Sequence, residues 1–164
     1  MKIFIYLIQF FIICLFLVLF KILGYRMASN FGGFIGSFFG QMFRSKKLIE
    51  NNIKKSLPKI NENETAEIIK AMWSNYGRIL SDYVFIKNFR QSKLEKYLEI
   101  EGKEIFEEIK KSGEPVIFIS GHFNNFELMA MEIEKSGVSG AAIYRPLNNI
   151  FLNKIMESIR KKYI

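Results

Sequence analysis

The feature that most constrains this chain is a long apolar run near its N-terminus. From Ile3 to Phe20, between Lys2 and Lys21, only Gln9 breaks a stretch of 18 residues that is otherwise apolar or aromatic. At about 1.5 Å per residue, a helix of that length approaches the roughly 30 Å hydrocarbon core of a bilayer. The run predicts a transmembrane or signal-anchor helix over residues 1–23, with an interfacial helix as the alternative.

A cleaved signal peptide is a further alternative for the same run, but its cues are weak. The run exceeds the usual ~7–15 apolar residues, and Arg26 and Met27 spoil a small-x-small cleavage site after it. An uncleaved anchor is therefore favoured. Since basic residues stay inside, the rest of the chain is placed in the cytoplasm by the cluster that follows the anchor, namely Lys21, Arg26, Arg44, Lys46 and Lys47.

The formal net charge of +8 is concentrated beside the apolar run and near the C-terminus. Residues 21–59 carry eight basic residues against one acidic, and residues 141–164 carry five against one, whereas residues 60–140 are net acidic. Such basic clusters suit anionic lipid headgroups or phosphorylated lipid substrates. Nucleic acid is not favoured as a partner, because no nucleic-acid-binding motif accompanies the charge.

A glycine-dense stretch follows the apolar run, within a basic segment, residues 24–59, that we expect to be membrane-associated. Gly32, Gly36 and Gly40 recur at intervals of four, with phenylalanines among them. Small residues at that spacing let another helix approach closely, which predicts a helix-packing or dimerisation seam. The alternative is an interfacial segment whose phenylalanines lie among lipid chains.

Residues 60–164 predict an α/β domain with parallel strands joined by a right-handed crossover. Two or three strands make a poor parallel sheet, because such sheets are normally covered on both faces. We therefore expect the N-terminal portion of a larger domain, or a domain that a separate chain completes. The predicted elements are a helix capped by Asn61 or Asn63, a strand over Leu94–Ile100, a helix over Lys103–Lys111, a strand over Val116–Ile119, a helix over Asn125–Lys135, a strand over Ala141–Tyr144 and a helix from Asn148 or Asn149 to Lys162.

His122, the single histidine, stands at the predicted junction between a strand and a helix, five residues before Glu127. On one continuous helix, five residues would place the two side chains roughly 140° apart. Across a strand-to-helix junction they can converge, and a carboxylate that orients an imidazole makes a general base. A hydrogen-bonded structural histidine remains the alternative. A metal site is not favoured, because His122 and the apolar-run Cys14 leave too few ligands.

The run His122-Phe123-Asn124-Asn125-Phe126-Glu127, followed by Tyr144-Arg145-Pro146-Leu147-Asn148-Asn149, resembles the bacterial lipid A biosynthesis acyltransferases, the lauroyl and myristoyl transferases. These are similar to the glycerolipid acyltransferases in their H-x4-D/E box. The resemblance also covers the apolar helix and the segment from Asn52 to Pro58. It implies a glycerolipid-acyltransferase-like αβ domain, here partial, over residues 60–164.

The resemblance implies that His122 is the base that activates an acceptor hydroxyl, with Glu127 as its partner. It implies Arg145 as a charge that holds phosphate or stabilises developing negative charge, although an arginine there can also be a surface ion pair, and Asn125 as a further substrate-binding residue. The donor would be an acyl carrier protein thioester and the acceptor a lipid A precursor, with no cofactor, on the cytoplasmic side of the inner membrane.

The sequence departs from the family pattern at two positions and in length. Asn124 stands where the family commonly has glycine and Phe126 where it has tryptophan; asparagine tolerates a left-handed backbone and phenylalanine keeps an aromatic ring, so both are compatible with activity. Family members continue past the helix that ends near Lys162. The alternatives are a glycerolipid or lysophospholipid acyltransferase, or an inactive truncated membrane fragment of such an enzyme.

Overall fold

The computed structural model describes residues 2–91 and 93–164, and 73% of the chain is helical. Within these described residues, three short 3-10 turns accompany the α-helices, at Gly40–Phe43, Tyr83–Phe85 and Glu95–Tyr97. The α-helices of the described residues are α1 (Lys2–Leu23), α2 (Tyr25–Phe39), α3 (Lys46–Ser56), α4 (Glu62–Asp82), α5 (Ile86–Arg90), α6 (Lys103–Ser112), α7 (Phe126–Lys135) and α8 (Ile150–Tyr163).

These helices group into two compact units. The middle unit comprises Phe16–Val84, and the terminal unit comprises Met1–Leu15 together with Phe85–Ile164. Helix α1 contributes its first part to the terminal unit and its last part to the middle unit.

The middle unit is built on a close crossing of α2 and α4, and the glycines predicted to form a seam form it here. A Cβ atom added to Gly36 would lie 2.2 Å from the carbonyl oxygen of Trp73, and one added to Gly32 would lie 2.4 Å from that of Gly77. Distances this short leave no room for a side chain, so the backbones touch. The helix-packing interpretation is confirmed, with both helices supplied by the same chain.

Polar groups define the start of α4 and add to its contact with α2. Asn61 accepts a hydrogen bond from the Glu64 backbone at 2.9 Å and Glu64 accepts one from the Asn61 backbone at 3.0 Å, which is a capping box. Farther along α4, the Arg78 guanidinium donates to the side chains of Ser29 and Asn30 on α2 at 3.2 and 3.1 Å. The predicted cap of this helix is confirmed.

The terminal unit packs α5 against α7 and α8. Arg90 on α5 pairs with Glu134 of α7 at 2.5 Å and donates to the Tyr163 carbonyl at the end of α8 at 3.1 Å. Lys135, at the end of α7, bonds Glu95 at 3.0 Å. The buried apolar side chains of the unit are Phe85, Ile86, Phe89, Met131, Val138 and Met156.

The α/β prediction is wrong, because the described residues contain no strand and no sheet. Leu94–Ile100 contains a 3-10 turn, and both Val116–Ile119 and Ala141–Tyr144 are irregular. Ile117, Ile119 and Ile143 are 88, 93 and 105% exposed. Short apolar runs indicate burial without specifying a strand, and an isolated strand gains no stability without neighbours to take its backbone hydrogen bonds. The parallel strands and crossover of a glycerolipid-acyltransferase-like αβ domain are therefore not formed, whereas the helices predicted around them are.

Helix α1 is, within the described residues, the one helix long and apolar enough to cross a membrane, judged by length and composition. A signal sequence near the N-terminus or a soluble core helix meets the same criterion, but only 6% of its most apolar window is buried. Its side chains are therefore largely exposed.

We predict that Gly36→Ala destabilises the middle unit. Alanine is intrinsically better than glycine in a helix by about 1 kcal/mol. The 2.2 Å clash with the Trp73 carbonyl opposes that gain and forces the helices apart, at a typical overpacking cost of about 1–3 kcal/mol. The measurement is thermal loss of helical circular dichroism in detergent micelles, where each kcal/mol lowers the midpoint by about 2–4 °C.

The matched control is Gly140→Ala, because a Cβ there meets no atom within 4 Å and the backbone conformation is one that alanine adopts. An unchanged or raised midpoint for Gly36→Ala would contradict the seam.

Candidate functional site

His122 lies in the irregular segment just before α7, in the terminal unit. Its side chain is exposed, and the imidazole is tilted against the ring of Phe126, with 4.4 Å between ring centroids. Asn124, between them, has a φ of 49° and is the one described residue other than glycine with a positive φ. Asparagine is among the few side chains that adopt this left-handed conformation readily. The sharp turn at Asn124 leads the chain into α7, whose first residue, Phe126, contacts the histidine ring.

Glu127 sits in the first turn of α7 and is 3% exposed. Arg160, in the last turn of α8, donates from Nε to both carboxylate oxygens, at 3.1 and 3.0 Å, and from Nη2 to Oε1. A bidentate pair of this kind is strong and directional. An acid at a helix N-terminus and a base at a helix C-terminus also complement the helix dipoles. The pair joins the start of α7 to the end of α8.

The same face of α8 holds the Tyr-Arg-Pro-x-Asn-Asn segment. The Tyr144 hydroxyl donates to Glu157 at 2.6 Å, and the Arg160 guanidinium lies over the Tyr144 ring, 5.2 Å from its centroid. Asn153 donates to Glu157 at 2.9 Å and accepts from the Leu147 backbone at 2.9 Å. Arg160 therefore contacts both sequence runs that resemble the acyltransferase family.

Two side chains of this network have displaced pKa values. The hydrogen bond from Tyr144, followed by the one from Asn153, holds the pKa of Glu157 below its ordinary value of 4.5. The same bond to Glu157 raises the pKa of Tyr144 above 10.0. Both shifts favour the pair of a neutral phenol and an ionised carboxylate across the neutral pH range.

The predicted substrate-binding residues lie at the edges of this network. Arg145 is exposed, and among the described residues no ion pair or hydrogen bond is recorded for its guanidinium. The surface ion pair considered for Arg145 is therefore not formed with any described residue.

Two asparagines stand at helix starts near this network. Asn125 occupies the N-cap position of α7, with its side-chain oxygen buried. Asn149 caps α8, and its Oδ1 accepts from the backbones of Phe151 and Leu152.

The structure places His122 and Glu127 on the two sides of the loop-to-helix junction, as the spacing predicts. Among the described residues, however, the imidazole contacts the Phe126 ring and the carboxylate accepts hydrogen bonds from Arg160. No hydrogen bond joins His122 to Glu127 there. The histidine–carboxylate dyad stays a prediction. A metal ion would find no group of three or more His, Cys, Asp or Glu in the described residues.

Sequence reasoning missed Arg160. The available signal is the recurrence of Asn153, Glu157 and Arg160 at intervals of four and three, which places three hydrogen-bonding side chains on one face of α8. That pattern reveals a polar face, but the residue that meets it from α7 lies 33 positions away along the chain.

We predict that Arg160→Gln destabilises the terminal unit more than any single surface change nearby. Removal of one partner leaves the buried Glu127 charge without its bidentate guanidinium, at a cost of about 3 kcal/mol, the lower end for buried pairs because Arg160 is 23% exposed. The measurement is the thermal midpoint, with Lys161→Gln as the control on the next residue.

The double variant Glu127→Gln with Arg160→Gln completes a mutant cycle, and we expect it to be less destabilised than the sum of its single variants. Additive effects would mean that the pair does not couple.

We predict that Tyr144→Phe raises the pKa of Glu157 towards 4.5, because the largest cause of its depression is removed while the Asn153 bond remains. A carboxyl with a lowered folded pKa adds stability above its unfolded pKa, and this is lost as the pH falls through the folded value. The variant should therefore show a weaker loss of stability below pH 4.5. Carbon-13 NMR titration of the glutamate carboxyls measures the shift.

The control is Tyr163→Phe at the end of α8, the helix that carries Glu157. The Tyr163 ring lies beneath Lys162. An identical Glu157 titration in Tyr144→Phe would contradict the assigned cause.

Comparison with known protein families matches residues 1–163 to the family described as bacterial lipid A biosynthesis acyltransferase. No curated protein and no solved structure gives a significant match. The family match covers both units, the apolar helix and both sequence runs around the site, so it spans nearly the whole chain. The chain is therefore a member of the bacterial lipid A biosynthesis acyltransferase family, and so an acyltransferase.

Proposed function

We propose that the chain transfers a fatty acyl group from an acyl carrier protein thioester to a hydroxyl group of a lipid A precursor, at the cytoplasmic face of the inner membrane. The observation that carries the proposal is the arrangement around Arg160. One guanidinium contacts Glu127 of the His-x4-Glu box and the ring of Tyr144 in the second run. This shared contact supports the proposal that the two parts of the family pattern form one site.

His122 acts as the general base. Its imidazole is exposed, so an acceptor hydroxyl can reach it, and the flanking Phe126 ring limits its orientation. The imidazole takes the hydroxyl proton while the oxygen attacks the thioester carbonyl. The tetrahedral intermediate then collapses, the carbon–sulfur bond breaks, and the imidazolium returns its proton to the departing thiolate. An ester and a free carrier thiol are the products.

Glu127 is the acidic partner of His122, and we propose that it acts by holding the loop-to-helix junction that carries the histidine. The bidentate bond to Arg160 fixes the carboxylate at the start of α7 and supports this role. A junction that is already in place needs no reorganisation at the moment of reaction. For a direct hydrogen bond to His122, the Glu127 carboxylate would have to accept from the imidazole and from Arg160 at the same time.

Arg145 and Asn125 bind substrate in this proposal. Lipid A precursors carry phosphate groups, and an exposed guanidinium presents a planar fork of donors to them. Asn125 occupies the N-cap position of α7, between the histidine and that helix, and we propose it as a second substrate-binding residue.

Membrane association places the enzyme beside its lipid acceptor. Residues 1–23 supply the apolar helix, and residues 24–59 add a second contact. In that segment Phe34, Phe38 and Phe43 are exposed, and basic residues follow from Arg44 onward. Exposed aromatic rings beside basic side chains suit the boundary between acyl chains and anionic headgroups. The excess of positive charge after α1 supports a cytoplasmic position.

The proposal is tested with membranes from cells that express the full chain, supplied with acyl carrier protein thioester and a tetra-acylated lipid A precursor. We expect acylation of the precursor, and His122→Ala should lower its rate on the order of 10²–10⁴-fold, the usual contribution of a general base. Product formation is followed by mass spectrometry of the extracted lipid.

The matched control is Asn124→Gly, two residues away in the same loop, since glycine adopts the positive φ of 49° without strain. Full activity of His122→Ala would exclude His122 as the base. Acylation of a lysophospholipid but not of the lipid A precursor would show that the acceptor is a lysophospholipid. If the unaltered chain acylates neither acceptor, the catalytically inactive alternative is favoured.

A further inference from the structure

A groove of about 440 Å³ runs along one side of the crossing of α2 and α4 in the middle unit, and we call it the α2–α4 groove. Spacings of three and four place its lining residues on one side of each helix. Unlike the glycine seam beside it, the groove is lined by many polar and charged side chains. These are Asn30, Ser37, Glu67, Lys70, Ser74 and Arg78.

Arg78 is held in this groove by neutral groups. Its Nη1 donates to the Ser29 hydroxyl at 3.2 Å and to the Asn30 side-chain oxygen at 3.1 Å. Within the part of the chain that the structure describes, no carboxylate forms an ion pair with Arg78. A guanidinium has five N–H donors, so Nε and Nη2 keep donors for a ligand. The side chain is thus fixed in place, and its charge is not neutralised.

Gly33 makes the room in which donors of Arg78 and Ser74 meet. A Cβ atom added to Gly33 would lie 2.9 Å from Arg78 Nε and 2.9 Å from Ser74 Oγ. At Gly32 and Gly36 the atom nearest to an added Cβ is instead a backbone carbonyl oxygen of α4. Gly33 therefore lets two side-chain donors, rather than two backbones, converge on one point. An N–H and an O–H donor that converge beside a full positive charge suit a phosphate oxygen.

The charges along α4 make one end of the groove cationic. Lys70 lies one turn before Ser74, and its exposed side chain brings a second positive charge to the lining. Glu67 is the one acid among the described lining residues. It stands 11 residues before Arg78, about 16 Å along the helix at 1.5 Å per residue. An anion beside Arg78 and Ser74 is thus attracted by two cations and lies at the far end from the acid.

An exposed apolar surface borders the same groove. Phe34 lines the groove and is 64% exposed, and its ring stacks on that of Phe38, which is 69% exposed, with 6.4 Å between centroids. A phosphate ion gains nothing from two phenyl rings, whereas the acyl chains of a phosphate-bearing lipid remove them from water. A cationic floor with an apolar border therefore favours an amphiphilic ligand.

We propose that the α2–α4 groove binds the phosphate group of a membrane glycerophospholipid. Arg78 and Ser74 donate to the phosphate oxygens, and Lys70 adds its charge. One acyl chain covers the rings of Phe34 and Phe38. The groove belongs to the middle unit, whereas the proposed catalytic residues belong to the terminal unit. The site is therefore additional to the proposed acyl-transfer site and does not depend on the roles assigned there.

The experiment uses the full chain, purified in an uncharged, phosphate-free detergent and titrated with phosphatidylglycerol. Native mass spectrometry counts the lipids bound at each concentration. We expect one lipid to bind more tightly than all others. Diacylglycerol with the same acyl chains lacks the phosphate group, so we expect it to bind at least about tenfold more weakly. Equal binding of the two lipids would overturn the phosphate site.

A second arm separates the lipid from the free ion. We expect inorganic phosphate at the same concentration as the lipid to leave the first phosphatidylglycerol bound. Displacement of the lipid by an equal concentration of inorganic phosphate would show that the acyl chains add nothing, and would overturn the lipid as the ligand.

Gly33→Ala tests the groove without a change of charge. The added Cβ meets atoms of flexible side chains, so the helices stay packed while the Arg78 guanidinium and the Ser74 hydroxyl are pushed apart. We expect binding of the first lipid to weaken at least about tenfold. The matched control is Gly140→Ala, where an added Cβ meets no atom within 4 Å. Unchanged binding in Gly33→Ala would overturn the site.

Lys70→Gln tests the charge at an exposed residue whose loss leaves the fold intact. We expect binding of the first lipid to weaken about fivefold. The control is Lys103→Gln on α6, which removes the same charge outside the groove. Equal losses in both variants would show that total charge attracts the lipid, and would overturn the site. Acylation is not measured in these titrations, so a failure of the proposed activity leaves their outcome unaffected.

Discussion

The ion pair between Glu127 and Arg160 is the contact on which the terminal unit depends. A carboxylate that is 3% exposed is costly to bury unless its charge is neutralised and its oxygens accept hydrogen bonds. Arg160 does both, and its position in the last turn of α8 brings that helix to the start of α7. Since the same guanidinium covers the Tyr144 ring, the segment that leads into α8 is held as well. The surroundings of His122 thus follow from one buried charge.

The middle unit is organised by a different constraint, the absence of side chains at the glycines where α2 and α4 cross. Gly36 and Gly77 let the backbones of α2 and α4 touch, and the Trp73 ring closes over Gly40. With the packing surface turned inward, Phe34 and Phe38 of α2 are exposed and stack on each other. The glycine and phenylalanine patterns, which the sequence offered as alternatives, thus describe opposite faces of one helix, one packed against α4 and one exposed.

Helices and their ends were predictable because their signals are local. The Asn61–Glu64 capping box and the Asn149 cap each involve atoms within three residues of each other. His122 could be chosen as a candidate site residue for a similar reason, since it is the single histidine of the chain and belongs to a short run of recognisable spacing. The predicted strands were wrong, because an apolar run such as Val116–Ile119 carries the same pattern whether or not a neighbour pairs with it. Its partners must come from elsewhere in space, and the described residues supply none.

What the sequence by itself determined is the family, the positions of His122 and Glu127 on the two sides of a helix start, and the apolar character of α1. Only the tertiary structure decided which group holds Glu127, which helix fills the glycine seam, and which side chains meet over Gly33. The physical reason is separation along the chain. Arg160 lies 33 residues from Glu127 and Arg78 lies 49 from Ser29, so neither contact follows from spacing or propensity. Such contacts exist only when folding brings distant helices together and burial makes an unsatisfied polar group costly.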